Sequence, residues 1–227
     1  FVEAQPGTYE LTEENVGTRF AAVSFRTFID PDDPDDVKAA HAAQDGIVVS
    51  GGGSGPFEAP DWNTEQLAAA RKALNDLAAE ISFDSARAFG RKDEVDPVHY
   101  LIGGIAGWAG LPAHGAVYLI DAVDQNDGKT PYAVTAKDVP VDAFWSITIY
   151  NADGYMEPND LGRNNYNNVT AEPNADGSIT IHMGGCDDGR VNCIPITPGW
   201  SYAVRLYQPR EEILNGSWSF PEIKPVN

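Results

Sequence analysis

The sequence predicts a mainly β protein with a helical insertion, in which an antiparallel sandwich or barrel is preceded by two to three helices. From Gly115 onward, five short runs rich in β-branched and aromatic residues are separated by turn sequences such as NDG, NADG and TPG. Before residue 114, two longer runs have helical periodicity with capping residues at their ends. We therefore predict three regions: 1–60 with strands and a short helix, 61–113 helical, and 114–227 a β domain.

The first region contains two predicted strands and one predicted helix. The segments TYELT and RFAAVSFRTFI are β-branched and aromatic with partial alternation, which favours strands. In DPDDPDDVKAAHAAQDG, Asp33 suits a helix cap, Pro34 the first helical position and Gly46 the end. Calcium binding is the alternative for this acidic stretch, but its spacing is not that of an EF-hand loop.

The second region contains two predicted helices. In the first, Asn63 is the predicted cap, and an apolar stripe follows at helical spacing: Leu67, Ala70, Leu74, Leu77 and Ile81. The second should begin at Pro97 and run to about Trp108. Its glycines, Gly103, Gly104 and Gly107, predict close packing against another element.

The charge of the chain limits its partners. The formal net charge is −19, and the acidic excess occurs in both halves of the chain. An acidic surface without a Lys/Arg cluster repels phosphate, so nucleic acid and anionic membrane surfaces are not expected partners. No run of ~18 apolar residues occurs, so no membrane insertion is expected. The acidity is either a solubility adaptation or a surface for a cationic partner.

Cys186 and Cys193 are the two cysteines, in GGCDDGRVNCIP. We predict a disulfide between them across this short loop, which would indicate an oxidising compartment. Two free thiols or half of a metal site are the alternatives, but no other cysteine or nearby histidine pair completes a zinc site. Neither a metal nor a cofactor is therefore expected.

Strand alternation sorts side chains onto two faces of the predicted sheet. In FWSITIY, SITIHM and WSYAVRLY, one face is largely apolar and the other carries hydroxyls, a histidine and an arginine. If these strands are neighbours, four side chains converge: Tyr150, His182, Arg205 and Tyr207. They would suit an anionic or polyhydroxy ligand. A solvated outer face, which half-buried antiparallel sheets need, is the alternative.

A loop of unusual polarity follows the strand that ends at Tyr150. NADG at Asn151–Gly154 is turn chemistry, but residues 155–168 are dense in hydrogen-bonding side chains. Further ligand-binding candidates come from this loop: Tyr155, Glu157, Arg163, Asn165 and Tyr166. Glu157 and Asp160 form the nearest carboxylate pair, although closeness in sequence is weak evidence for acid/base chemistry. The four histidines are widely separated in the sequence, and His41 and His99 are interpreted as structural.

Several segments resemble a pair of bacterial families called domain of unknown function 1254 and domain of unknown function 1214. The resemblance is carried by segments that include FGRKDEVDPVHYLIGGIAGWAGLP, VPVDAFWSITIYNADGYMEPN and NADGSITIHMGGCDDGRVNCIPITPGWSYAVRLYQPREEILNGSWSFPE. The second family covers roughly Leu67 to the C-terminus, and the earlier residues resemble the tail of the first. The resemblance implies a jelly-roll-like β-sandwich, further N-terminal sequence that contacts this part, and a periplasmic or extracellular location. Similar members also carry a cysteine pair at Cys186 and Cys193, and no catalytic residues can be carried over.

Three functions remain as hypotheses. The first is an extracytoplasmic protein that binds a small polar ligand, carbohydrate-like or anionic, at the polar face and the 155–168 loop. The second is a structural or homo-oligomerising module without such a site. The third is a hydrolase or lyase in the same cleft, with Glu157, Asp160 or His182 as acid or base, so whether the protein is an enzyme stays open.

Overall fold

The computed structural model describes residues 7–27, 29–52, 56–58, 60–81, 83–107 and 109–226. The chain divides into two compact units, Phe1–Phe57 and Glu58–Asn227. The predicted helical region and the predicted β domain therefore belong to the same unit. Within the described ranges, no helix has the length and hydropathy that a membrane crossing requires.

The first unit contains helices α1 (Glu13–Val16) and α2 (Pro34–Asp45). Helix α2 begins where the sequence predicts, because the Asp33 carboxylate accepts the backbone N–H groups of Asp35 and Asp36. These bonds satisfy donors that the first helical turn leaves without partners. The acidic stretch is thus used for helix capping.

The prediction of strands in TYELT and RFAAVSFRTFI is wrong for the residues that the structure describes there. Thr12, the last residue of TYELT, forms a reciprocal capping box with Asn15 that starts α1. A strand also needs a neighbour to pair its backbone groups, and the described part of this unit contains no paired strand. β-branched composition alone therefore did not produce a sheet.

Helices α3 (Thr64–Glu80) and α4 (Pro97–Gly107) open the second unit, with a 3-10 turn, Ser85–Arg87, between them. The Asn63 side chain caps α3 by accepting the N–H of Gln66 at 2.9 Å. The predicted stripe of α3 is only partly covered by described residues, since Leu67 remains 46% exposed. Trp108, the predicted end of α4, lies outside the described residues.

The prediction of close packing at the α4 glycines holds for one of the three. A Cβ at Gly103 would lie 3.0 Å from the Cβ of Ala88 and 3.2 Å from the Phe89 ring. At Gly104 and Gly107 a Cβ would meet no described heavy atom within 4 Å, so the prediction is wrong there. Gly107 lies one turn beyond Gly103 on the same face of the helix, so the close contact is limited to the turn that contains Gly103.

Eight strands follow the helices in the described chain, with α5 (Glu211–Leu214) and a 3-10 turn (Cys186–Asp188) between strands. The strands are β1 (Ala116–Asp121), β2 (Tyr132–Ala136), β3 (Trp145–Tyr150), β4 (Asn165–Asn167), β5 (Ile179–Met183), β6 (Cys193–Ile194), β7 (Ser201–Tyr207) and β8 (Lys224–Pro225). The five longer strands coincide with the five predicted runs. The three short strands have too few residues to show alternation.

The strands form two four-stranded sheets, with orders β1-β7-β3-β4 (sheet A) and β6-β5-β2-β8 (sheet B). All pairs are antiparallel except the short β5–β6 pair. The apolar faces of the two sheets share one core, which includes Ile147 and Val204 of sheet A and Ile181 and Met183 of sheet B. This architecture is a β-sandwich, as predicted, in which each fully buried aliphatic side chain contributes about 1.5–3 kcal/mol.

Candidate functional site

The outer face of sheet A carries a row of polar side chains centred on Arg205. Residues 204 and 206 point into the core, so alternation places Arg205 on the outer face. Tyr118 of β1 lies opposite Arg205 on one side, and Ser146 of β3 lies opposite it on the other. The sequence identified Arg205 and predicted which alternate residues of β3 form its polar face. Only the strand pairing shows that β7 lies between β1 and β3.

The guanidinium group of Arg205 is held by two hydroxyl groups of β3. Its Nη1 donates to Thr148 Oγ1 at 3.1 Å, and its Nη2 donates to Tyr150 Oη at 2.7 Å. The guanidinium carbon also lies 5.9 Å from the centre of the Tyr150 ring. Arg205 and Tyr150 are half-buried and Thr148 is buried. Sequence reasoning did not select Thr148, although alternation had placed it on the polar face.

No described carboxylate forms an ion pair with Arg205. Hydroxyl acceptors orient a guanidinium without neutralising it, and an arginine has five N–H donors. Donors of this partly desolvated cation therefore remain for an external acceptor. An oxyanion placed here would form charge-assisted hydrogen bonds, which are about twice as strong as neutral ones.

A cavity of about 590 Å³ adjoins this face on the side of β1. Its walls come from the end of α3, from the segment that follows it and from β1: Ala78, Ala79, Phe83, Tyr118, Ile120 and Asp121. The hydroxyl of Ser85 lies 3.3 Å from both the backbone nitrogen and the backbone oxygen of Tyr118. The 3-10 turn thus covers the free edge of β1. Sequence reasoning missed this cavity, because no local pattern shows that the helical segment packs beside β1.

His182 does not join Arg205, so the predicted convergence of four side chains is wrong. His182 lies in β5 of sheet B, whereas Tyr150, Arg205 and Tyr207 lie in sheet A. Both sheets turn their apolar faces to one core, so their polar faces point in opposite directions. The Tyr207 ring stacks on Phe144 with ring centres 4.3 Å apart.

His182 has its own environment on the outer face of sheet B, opposite Cys193 in the register. Burial lowers the pKa of this imidazole, and the positive charge of Arg190 lowers it further against the opposing effect of Asp188. Its Nδ1 atom is buried and has no hydrogen-bond partner among the described residues. These conditions favour the neutral ring.

Much of the Asn-rich loop is structural. Asn159 Oδ1 accepts the N–H groups of Leu161 and Arg163, and its amide donates to the carbonyls of Glu157 and Arg163. Two further asparagines bond to backbone in the same way. Asn167 accepts from Val169 and Thr170, and Asn168 accepts from Trp145 of β3 at 2.8 Å. These bonds hold the loop against the edge of sheet A.

The loop candidates occupy several environments. Tyr155 is 72% exposed, and the Glu157 carboxylate accepts a hydrogen bond from the Asn151 amide at 2.6 Å. Asn165 is the exposed first residue of β4. Among the described residues, Glu157 contacts the Asn151 amide rather than Asp160 or His182, so the acid/base pair of the third hypothesis has no geometric support.

Arg163 and Tyr166 line a second, smaller cleft at the other edge of the sandwich. The cleft measures about 260 Å³ and includes the Cys186–Cys193 disulfide. The Arg163 guanidinium lies 5.8 Å from the centre of the Tyr166 ring. Arg190 also lines the cleft and forms an ion pair with Asp188. The hydrogen bonds from Arg190 lower the pKa of the Asp188 carboxyl to about 2. The predicted disulfide is confirmed, and its loop joins this cleft to the outer face near His182.

Within the part of the chain that the structure describes, no three His, Cys, Asp or Glu side chains form a group suited to a metal ion. His99 is buried and its Nδ1 accepts the backbone N–H of Asp84, which agrees with a structural role.

Comparison with known proteins confirms the resemblance for the β domain. Residues 115–211 match the model of a family described as protein of unknown function (DUF1214). The crystal structure of the VPA0106 protein from Vibrio parahaemolyticus is similar, with 26% identity and a TM-score of 0.54 over 95% of this chain. The chain spans 61% of the length of that protein.

A second structure, of an uncharacterized protein from Burkholderia cenocepacia, has 16% identity and a TM-score of 0.37, covering 74% of this chain and 43% of that one. No curated protein sequence matches the chain.

Proposed function

We propose that this chain, whose residues 115–211 match the DUF1214 family, binds a small anionic ligand on the outer face of sheet A through Arg205. The observation that supports the proposal is the state of the Arg205 side chain. It is half-buried, oriented by two hydroxyl groups and not neutralised by a described carboxylate. A partly desolvated cation of this kind is stabilised by an external anion.

The rest of the protein makes this cation distinctive. The net charge of −19 gives the molecule no overall attraction for anions, so binding must come from a local group. Other cations are already paired: Arg87 with Asp96, Arg190 with Asp188, and Arg210 with Asp142. Arg205 instead has the hydroxyls of Thr148 and Tyr150 beside it, which can also contact a polyhydroxy ligand.

Binding is a better account of this face than catalysis. Hydrolysis or elimination needs a general acid or base within hydrogen-bond reach of the reacting atoms. The one candidate histidine of the hypothesis, His182, lies in the other sheet, and Glu157 is hydrogen-bonded to Asn151. The proposed location is periplasmic or extracellular, because the Cys186–Cys193 disulfide persists best in an oxidising compartment.

A ligand screen by thermal unfolding tests the proposal. The probes are lactate, galacturonate, glucose 6-phosphate and inorganic phosphate, with glucose as the neutral comparison. A ligand at about 100 times its Kd adds about 2.7 kcal/mol of stability, which corresponds to a rise in Tm of roughly 5–10 °C for a chain of this size. We expect at least one anion to raise Tm more than glucose does.

Arg205→Met should abolish the rise in Tm caused by the anion, and Arg205→Lys should retain only part of it. Arg91→Met is the matched control, because it removes the same charge at a side chain that is 80% exposed. Equal anion responses in the wild type and in both Arg205 variants would contradict the proposal. So would an identical loss in the Arg91 variant, since the response would then follow net charge.

A further inference from the structure

We infer that the free edge of β1 binds an extended peptide with a basic side chain, which pairs with the backbone of Ile120 in the cavity between β1 and the end of α3. The inference goes beyond the proposed function, because it concerns the outer edge of β1, whereas Arg205 is held on the β3 side of β7. Addition of a strand to an exposed sheet edge is a general mode of peptide recognition.

The backbone groups of β1 alternate between its two sides. The strand order β1-β7-β3-β4 places β1 at an edge of sheet A. In an antiparallel pair, alternate residues direct both their N–H and their C=O groups towards the partner strand. Gly115, just before β1, accepts a hydrogen bond from the N–H of Gln208 across the β1–β7 pair. Positions 117, 119 and 121 therefore bond to β7, and the backbone groups of Tyr118 and Ile120 point away from it.

The outward backbone groups differ in what satisfies them. The Ser85 hydroxyl lies 3.3 Å from both the backbone nitrogen and the backbone oxygen of Tyr118. The N–H of Ala122 donates to the Asp121 carboxylate at 2.8 Å. Between these two positions, no described residue forms a hydrogen bond with the outward N–H or C=O of Ile120. The edge therefore presents one donor and one acceptor, spaced as in a strand, to an incoming backbone.

The cavity of about 590 Å³ meets β1 at this free edge. Ile120 and Asp121 are consecutive in the strand, so their side chains point to opposite faces of the sheet. Both residues nevertheless line the cavity. A cavity contacts side chains of both faces where it approaches a strand from its edge, which is where the outward groups of Ile120 lie. Its volume is in the range typical of ligand pockets.

The walls of the cavity select the side chains of the peptide. Ile120 is 63% exposed and Phe83 is half-buried, so an apolar side chain beside them would remove apolar surface from water. Asp121 is the charged residue in the wall, and its carboxylate attracts a basic side chain. Consecutive residues of an added strand also point to opposite faces, so the apolar and the basic residue are neighbours in the peptide. The net charge of −19 adds a general attraction for such a cationic partner.

NMR titration of the full chain with short synthetic peptides tests the inference. The probe is the peptide TVKVT, acetylated and amidated at its ends, whose palindromic sequence allows pairing in either direction. We expect it to shift the backbone amide signal of Ile120. The same peptide with N-methyl groups on its central residues should bind about tenfold more weakly, because it cannot donate the backbone hydrogen bonds. The peptide TVEVT should bind about fivefold more weakly, because its carboxylate is repelled by Asp121.

Two pairs of variants locate the contacts. Ile120→Pro removes the outward N–H, at a position of an edge strand where proline is tolerated, and it should abolish peptide binding measured by calorimetry. Ile120→Val keeps the N–H and should bind TVKVT with an affinity close to that of the wild type. Asp121→Asn should remove the preference for TVKVT over TVEVT. Asp124→Asn, at an exposed acid outside the cavity, is the matched control and should retain this preference.

Several outcomes would overturn the inference. Equal affinities of the N-methylated and unmodified peptides would do so, and this comparison uses the wild type, so it does not depend on the folding of a variant. Binding of butylamine as tight as that of TVKVT would indicate a site for small amines instead. A dimer in sedimentation velocity that dissociates in Ile120→Pro would show that a second copy of the chain pairs at this edge. Each of these results would leave the proposed function of Arg205 standing.

Discussion

Arg205 Nη2 donates a hydrogen bond to Tyr150 Oη at 2.7 Å, which joins the side chains of two adjacent strands on the outer face of sheet A. The two residues are 55 positions apart in the sequence. Their contact depends on the antiparallel pairing of β3 with β7, in which Tyr150 lies opposite Ser201 and Ser146 lies opposite Arg205. The guanidinium therefore reaches along the neighbouring strand, past Thr148, to the tyrosine hydroxyl.

The first prediction concerns this hydrogen bond. Tyr150→Phe removes one acceptor of a half-buried cation, and we expect it to lower the free energy of unfolding by about 0.5–1.5 kcal/mol. Urea unfolding measures the change. Tyr155→Phe is the matched control at a ring that is 72% exposed, and it should have almost no effect. Equal effects of the two substitutions would show that the Arg205–Tyr150 bond adds no stability.

The second prediction concerns the structural role of the Asn-rich loop. Asn159→Ala removes the side chain that bonds to four backbone groups of the loop, so the expected loss is about 1–2 kcal/mol. Asn165→Ala, at an exposed position of the same loop, should change stability by less than about 0.5 kcal/mol. Chemical denaturation of both variants checks the difference, and a neutral Asn159→Ala would contradict the structural role.

The third prediction concerns the disulfide. Cys186 and Cys193 are separated by seven positions, and closing so short a loop stabilises a protein by about 2–3 kcal/mol in the chain-entropy description. The double variant Cys186→Ser/Cys193→Ser should lose this amount in urea unfolding. Reduction of the wild type should reproduce the loss. Mass spectrometry after alkylation under non-reducing conditions should find no free thiol, and two alkylated cysteines would disprove the bond.

The fourth prediction concerns the pH dependence of stability at His182. Burial and Arg190 lower the pKa of the folded imidazole below the unfolded value of about 6.5. The unfolded chain therefore binds the proton more readily, so the contribution of His182 is present above pH 6.5 and is lost as pH falls through the folded pKa. Nearby Asp188 opposes the shift, which keeps the effect modest.

His182→Gln should flatten the fall of stability between pH 6.5 and 5, measured by urea unfolding at each pH. His41→Gln, at an exposed position of α2, serves as the control. If stability fell with pH as steeply in His182→Gln as in the wild type, His182 would not be the source of this pH dependence.

The sequence predicted the elements whose signals are local. Asp33, Pro34 and Gly46 mark both ends of α2, because capping acts within one turn of the helix. The five longer strands were also predicted, since alternation with a period of two is visible within five to seven residues. The strands predicted at 8–12 and 19–29 are wrong for the residues described there, because composition does not supply a pairing partner.

The candidate site was only partly predictable. Alternation correctly placed Arg205 on a polar face and Val204 and Leu206 in the core. It could not tell that His182 belongs to the other sheet, because every strand of a sandwich has an outer face and local patterns do not distinguish the two. The Asn-rich loop was a candidate by composition, whereas the hydrogen bonds of Asn159, Asn167 and Asn168 show that much of it supports the backbone.

The sequence by itself determined the ends of α2, the start of α3, the five longer strands with their apolar sides, and the acidic character of the chain. The tertiary structure decided that β7 lies between β1 and β3, and that the end of α3 packs beside β1 to form a cavity. The reason is physical: side-chain periodicity and capping act over a few residues. Strand order and the packing of a helix beside a sheet depend on contacts between residues far apart in the chain.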